Sequence, residues 1–245
     1  MTKNSKLANA FISAMVIAGL AMMLGSALNL TGFHFYQFAS LLILGAVTSR
    51  TKVKLPGITG NMSVNLPFIL MAASQLSLFE AVAVALVSAT LQSLPKRGGR
   101  FQPSKVLFNA STIVLSAGAS AILLHSPWAN SGRFPGAMVF AAACGAFLLV
   151  NTLPVATIIS VTEGARVLHI WSSILHLSFP YYAACTGVTF MVTFASKHVG
   201  WQAPSLLLPM MLLIYRCYQR LFEHTNSESI SSPKANLLSR AAAAH

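Results

Sequence analysis

Apolar runs close to the roughly 20 residues needed to cross a bilayer recur from one end of this chain to the other. Between them lie short polar connections, none of them long enough to form a soluble domain. Of the 245 residues 55% are hydrophobic and 8% are charged, against about 25% charged in ordinary soluble domains. So few charges would not cover the surface of a soluble fold of this length. The sequence therefore predicts an all-α, polytopic helical membrane protein. Candidate spans are 7–30, 34–49, 60–76, 78–95, 106–125, 136–160, 178–196 and 203–222, about eight in all and no fewer than six.

The formal net charge of +12 is spread in small clusters between apolar runs, which suits topology and anionic lipid and leaves no basic domain for nucleic acid. With the N-terminus inside and eight spans, Lys3 and Lys6, Arg50, Lys52 and Lys54, Lys96, Arg97, Arg100 and Lys105, Arg166, and Arg216, Arg220, Lys234 and Arg240 all fall on one side. These are 14 of the 16 basic residues; Arg133 and Lys197 are left outside. The division predicts cytoplasmic termini and a multi-pass protein of a bacterial inner (plasma) membrane. Phe33, Phe35, Tyr36, Trp128, Phe134 and Trp201 gather at the expected outer ends, as an interfacial aromatic belt does. Residues 1–222 are expected to form a single transmembrane domain, and 223–245 a short polar tail ending in an apparent tag remnant, "AAAAH".

Two local patterns refine this picture. "EGARVLHIWSSILHLS", Glu163 to Ser178, sets Arg166, His169, Ser173 and His176 on one face and Val167, Ile170, Trp171 and Ile174 on the other. It reads as a short amphipathic helix on the inner surface, N-capped by Thr162, or equally as an extension of the next span. In the first run Ala10, Ala14 and Ala18 recur every four residues, with Gly19 and Gly25 beyond. Such spacing lets helix backbones approach closely, within the bundle or between two copies.

Few side chains are equipped for chemistry. There is no Asp, and the acids are Glu80, Glu163, Glu223 and Glu228. No carboxylate pair, HExxH, phosphate-cradling Gly-rich loop or GxSxG elbow is present, so the chain is not read as an enzyme and no catalytic residue is assigned. Cys144, Cys185 and Cys217 lack CxxC spacing and read as packing residues, and no metal or cofactor is implied. His34, His125 and His198 all fall at outer helix ends.

Polar residues within apolar spans remain the best pointers, because each is costly unless paired or hydrated. The densest run is "KVKLPGITGNMSVNLPF", Lys52 to Phe68. Pro56-Gly57 predicts a turn, Gly60 frees the backbone again, and Asn61 or Ser63 is expected to cap a new helix. A helix beginning there, with Lys52 and Lys54 nearby, would suit an anionic or carbonyl-bearing ligand. Glu80, Ser88 and Gln92 follow on the fourth span, Asn109, Thr112 and Ser116 on the fifth, and Asn151 on the sixth. The expected pocket lies between the third, fourth and fifth spans, with Asn61, Ser63, Asn65, Glu80 and Asn109 as hydrogen-bonding ligand residues.

The block from Arg50 to Leu94, with "PSKVLFNASTIVLSAGAS" after it, resembles the membrane-associated sensor domain found ahead of HD-GYP and GGDEF modules in bacterial cyclic-di-GMP signalling proteins. The likeness runs from about residue 34 to 195. It rests on Leu-Pro-Gly-x-Thr-Gly-x-x-Ser-Val-Asn, Leu55 to Asn65, with Phe108-Asn109 as a second anchor. It implies a membrane module that senses a small molecule or lipid. Only a short polar tail follows Arg220 here, so output would pass through a separate signalling partner or through a segment beyond this sequence. The same block has a weaker similarity to substrate-binding subunits of energy-coupling-factor vitamin transporters, which implies a transport component with its own partner. In those subunits the corresponding loop faces outside, whereas the charge count puts Lys52–Lys54 inside.

Overall fold

The computed structural model describes residues 3–29, 32–50, 52–54, 61–63, 65–95, 101–199, 202, 204–213, 216–217 and 220. The chain is helical. In order come α1 (Lys3–Leu28), α2 (Phe35–Ser49), strands β1 (Lys52–Lys54) and β2 (Asn61–Ser63), α3 (Leu66–Gln75), α4 (Leu78–Ser93), α5 (Pro103–Leu124), α6 (Gly136–Glu163) and α7 (Val167–Val199). A short 3-10 turn, Ala129–Ser131, lies between α5 and α6, and a further apolar helix covers Pro204–Leu213. Among the described residues three helices are long and apolar enough to cross a membrane: Lys6–Leu28, Pro103–Leu124 and Gly136–Glu163.

Local chemistry explains where the helices start and stop. Pro103 opens α5 and Pro67 sits in the first turn of α3, positions where a missing N–H costs no ladder bond. Ser77 and Glu80 form a reciprocal capping box at the start of α4. Gly164, at φ 75°, terminates α6; this left-handed geometry suits a residue without a Cβ.

Cross-helix bonds fix the chain directions. The His34 N–H, just before α2, donates to Glu80 Oε1 in the first turn of α4. Asn65, just before α3, meets Gln92 in the last turn of α4, and Asn109 near the start of α5 meets Ser93. Gln75, the last residue of α3, meets Ser196 near the end of α7. Phe11 packs on Phe108 while Met22 lies against Gly118, so α1 runs with α5. Asn151 bonds Tyr182 and Cys144 accepts from Thr186, so α6 opposes α7. Hence α1, α3, α5 and α7 run one way and α2, α4 and α6 the other.

This alternation gives the bundle two unlike ends. One gathers the start of α1, the end of α2, the ribbon, and the α4–α5 and α6–α7 connections, and with them Lys3, Lys6, Arg50, Lys52, Lys54, Lys105 and Arg166. The opposite end carries exposed Phe33, Phe35, Tyr36, Trp128 and Phe134, with Phe35 edge-on to Tyr36 and Trp128 against Phe134.

Three expectations need correction. The apolar run 60–76 does not form one span: Asn61–Ser63 is a strand, and α3 keeps only ten residues, 15 Å at about 1.5 Å per residue. Neither Asn61 nor Ser63 caps it; Asn65 stands at the N-cap position, with no side-chain cap bond. Of the two readings of the amphipathic stretch, the separate surface helix falls and the extension of the next span stands, since Val167–Val199 is continuous. Thr162 lies inside α6 and donates back to the carbonyls of Ile158 and Ile159. Finally, Ala10, Ala14 and Ala18 are exposed, and the close contact within the bundle is made instead by buried Gly19 against Ser111.

The core is built around α3. Its residues Leu66 to Ala73 are all buried, with α2, α4, α5 and α7 packed around it. On one side Ile69 and Leu70 join Phe147, Tyr182 and Cys185; on the other Phe68, Met71 and Ala72 join Leu41, Val84 and Leu207. Beside this core α2 and α4 meet closely at Gly45, where an added Cβ would lie 2.8 Å from Ser88 Oγ. That hydroxyl is buried without a partner among the described residues.

This contact gives a stability test. Gly45→Ala is expected to destabilise by about 1–3 kcal/mol through overpacking. Ser88→Ala, which removes a buried unpaired hydroxyl, is expected to be near neutral. The double variant should recover most of the loss, as read by thermal unfolding in detergent; additive losses would mean that the two helices do not touch there.

Candidate functional site

At the basic end, two consecutive residues of the last turn of α4 reach in different directions. Gln92 Oε1 accepts from Asn65 Nδ2 at 3.4 Å. Ser93 Oγ accepts from Asn109 Nδ2 at 2.6 Å and donates to the carbonyl of Ala89 at 2.7 Å. Adjacent helical residues point about 100° apart, so one turn of α4 holds α3 on one side and α5 on the other. Asn65 is 4% exposed; Asn109, Gln92 and Ser93 are half-buried. The Asn65 carbonyl also accepts the N–H groups of Phe68 and Ile69.

The ribbon adjoins this cluster along the chain. Strands β1 and β2 are antiparallel, with Lys52 opposite Ser63, Val53 opposite Met62 and Lys54 opposite Asn61. Ser63 stands two residues before Asn65, so Asn61, Ser63, Asn65 and Asn109 come to the same end of the bundle. The Pro56-Gly57 turn lies outside the described residues.

Glu80 does not join them. Twelve residues separate it from Gln92 on α4, about 18 Å along the axis. It is fully buried and both oxygens are engaged: Oε1 accepts from the His34 N–H at 2.9 Å, and Oε2 from the Ser77 N–H at 3.0 Å and the Ser77 hydroxyl at 2.7 Å. These bonds tie the start of α2 to the start of α4 and cap α4. Such a capping role follows from a carboxylate in a first helical turn.

Ser93 is the residue that sequence reasoning missed. A serine in a last turn carries no signal of its own, and its importance comes from the helix beside it. A second polar set, between α6 and α7, had only Asn151 as a sequence pointer. Asn151 Nδ2 donates to Tyr182 Oη at 2.7 Å and Trp171 Nε1 to Thr152 Oγ1 at 3.1 Å, while the Thr186 hydroxyl donates to Cys144. Pro154 and Pro180 lie within one turn of the Asn151–Tyr182 bond, each removing a ladder hydrogen bond from its helix. Cys144 and Cys185 are buried free thiols of one core cluster, and Cys217 is exposed.

The three histidines expected at outer helix ends stay apart in role. His34 supplies its backbone N–H to Glu80, His125 closes α5 with Nδ1 2.9 Å from the Ala121 carbonyl oxygen, and the side chain of His198 lies outside the described residues. No group of three His, Cys, Asp or Glu residues suited to a metal occurs among the described residues. A shallow surface cleft of about 620 Å³ at the α6–α7 turn is lined by Ser160, Ala165, Arg166, Val167, Leu168 and His169.

Glu80 offers a clean separation of support from binding. Glu80→Ala leaves two backbone N–H groups and a hydroxyl without their acceptor and is expected to cost about 2–4 kcal/mol. Glu80→Gln keeps one acceptor oxygen and should fall between. Thermal unfolding in detergent checks the order, and an unchanged melting temperature for both would show that the carboxylate does not hold the helices.

No protein-family model, curated protein or solved structure matches this chain.

Proposed function

We propose that this chain is a multi-pass membrane module that binds a small molecule or a lipid, in the manner of a sensor, and catalyses no reaction. The observation that carries the reading is the convergence of Asn65 and Asn109 on Gln92 and Ser93 at the end of α4. Asn109 is a half-buried amide and Asn65 a buried one, and an amide has more donor and acceptor capacity than one hydrogen bond fills, which a ligand can use. The ribbon brings Asn61 and Ser63 to the same end. The concentration of basic residues there supports a cytoplasmic placement of that end in a bacterial inner membrane. A ligand-dependent change would then be passed to a cytoplasmic signalling module, as the resemblance to signalling sensor domains implies.

Helix α3 favours a second reading, a transport component. A ten-residue helix buried in the middle of a bundle is the kind of interrupted segment around which transporters build substrate sites. The two readings share one site and differ in whether the ligand crosses.

The test is to purify the protein in mild detergent and identify by mass spectrometry the small molecules or lipids it retains. Asn65→Leu and Asn109→Leu variants are carried in parallel. A compound held by the wild type and lost from both folded variants is the expected result. Retention of bulk lipid alone, unchanged by either substitution, would remove the binding reading. Time-dependent uptake into sealed vesicles would select transport over sensing.

A further inference from the structure

Helices α6 and α7 both change character at a proline, and at the same level of the bundle. On the aromatic-end side of Pro154 and Pro180 the hairpin is packed: α6 buries Phe140, Cys144, Phe147 and Thr152, and α7 buries Tyr182, Cys185 and Val192. From 155 to 179, the tip beyond the prolines, only Ala156 and Ser178 are buried, each two residues from a proline. Helix lengths mark the same level. About 20 residues cross a bilayer; counted from Gly136 along α6, or back from Val199 along α7, they end at about residues 155 and 180.

The register of the pair also breaks there. Phe140 lies against Phe190, Cys144 accepts from Thr186, and Phe147 lies against Tyr182. Continued into the tip, this antiparallel spacing would set Trp171 beside Ile159. The indole N–H donates to Thr152 Oγ1 at 3.1 Å, seven residues nearer the packed half, or about 10 Å along a helix axis. A proline removes a ladder bond and bends its helix. A single proline in a membrane helix is readily accommodated by its neighbours. Two on facing helices, where burial ends and register breaks, mark a joint.

We infer that the α6–α7 hairpin is jointed at Pro154 and Pro180 and that its tip, 155–179, is a lever projecting from the membrane at the basic end. The bond of Trp171 to Thr152 latches it, and Leu175, packed against the core cluster, steadies it. The tip swings when the latch opens. Its arms are about 14 Å on α6 and about 20 Å on α7, so a 20° change of bend moves the turn by about 5 Å. The joint stands on helix geometry and does not rest on the binding reading. Under that reading it adds the element that carries a change in the bundle out of the membrane, and the cleft lined by Arg166 and His169 travels with it.

The experiment measures distances by pulsed electron paramagnetic resonance on full-length protein in nanodiscs. Cys217→Ser removes the exposed thiol, and this background is checked for absence of label on the buried Cys144 and Cys185. Spin labels at Leu149→Cys and Leu168→Cys span the joint; labels at Leu149→Cys and Met191→Cys lie wholly in the packed half. All three positions are exposed. Trp171→Phe, which removes the indole N–H, is expected to shift or broaden the joint-spanning distance by at least about 5 Å and to leave the packed pair unchanged. Adding Pro154→Ala/Pro180→Ala to Trp171→Phe restores the ladder bonds and is expected to return a single narrow distance. Thermal unfolding confirms that each variant is folded. If the double proline variant does not fold, Pro180→Ala alone, at an exposed position, is read in its place. An unchanged joint-spanning distance in Trp171→Phe, equal shifts in both pairs, or a broadening that persists without the prolines overturns the inference.

Discussion

A helix too short to cross a bilayer and buried along nearly its whole length sets the terms for the rest of this bundle. Helix α3 has ten residues, eight of them buried, so its apolar sides need neighbours all round. α2, α4, α5 and α7 supply them. The unsatisfied groups at its two ends need partners as well, since an unpaired polar group in an apolar medium is costly. Side-chain bonds tie each end to a neighbouring helix, Asn65 to Gln92 where α3 begins and Gln75 to Ser196 where it stops. The capping box of Ser77 and Glu80 then starts α4 within three residues of the end of α3.

Much of this was legible in the sequence. The expected spans 34–49, 78–95, 106–125 and 136–160 lie over α2, α4, α5 and α6 within a few residues, because long apolar runs bounded by Gly, Pro and Ser have few alternatives to a helix. The run 60–76 failed because mean hydropathy over such a window does not register a change of backbone within it. Asn61–Ser63 pairs with Lys52–Lys54 across a connection of six residues, and strands of three residues leave no periodicity to detect. Thr162 read as a helix start since its side chain suits an N-cap. Two residues later Gly164 stops α6, leaving Thr162 to bond its own preceding turn. The alanine row of α1 was visible, but which face turns inward is a tertiary matter, decided by Gly19 fitting over Ser111.

The candidate site was legible in the same uneven way. Asn65 and Asn109 stood out as amides beside apolar runs, and they do come to one end of the bundle. Glu80 stood out for the same reason and lies at the other end, with its oxygens occupied by the chain itself. A sequence reveals that a buried polar group needs partners. Whether those partners are backbone or ligand depends on where neighbouring helices end, which is a property of the assembled bundle.

Most hydroxyls on these helices donate to carbonyls of their own preceding turn: Thr48, Thr90, Ser93, Thr112, Ser116, Thr152, Thr186 and Thr189 are examples. Each helix thereby carries much of its polar content as internal cargo, and the surfaces between helices are largely smooth and apolar. Among the described residues the side-chain bonds that cross between helices are few and local, like rivets. Mechanically, α3 is a pin fastened at its two tips inside a greased sleeve. Sideways displacement meets packed side chains, while an axial slip of one turn would shear both tip bonds together and leave the polar bonds along its flanks intact.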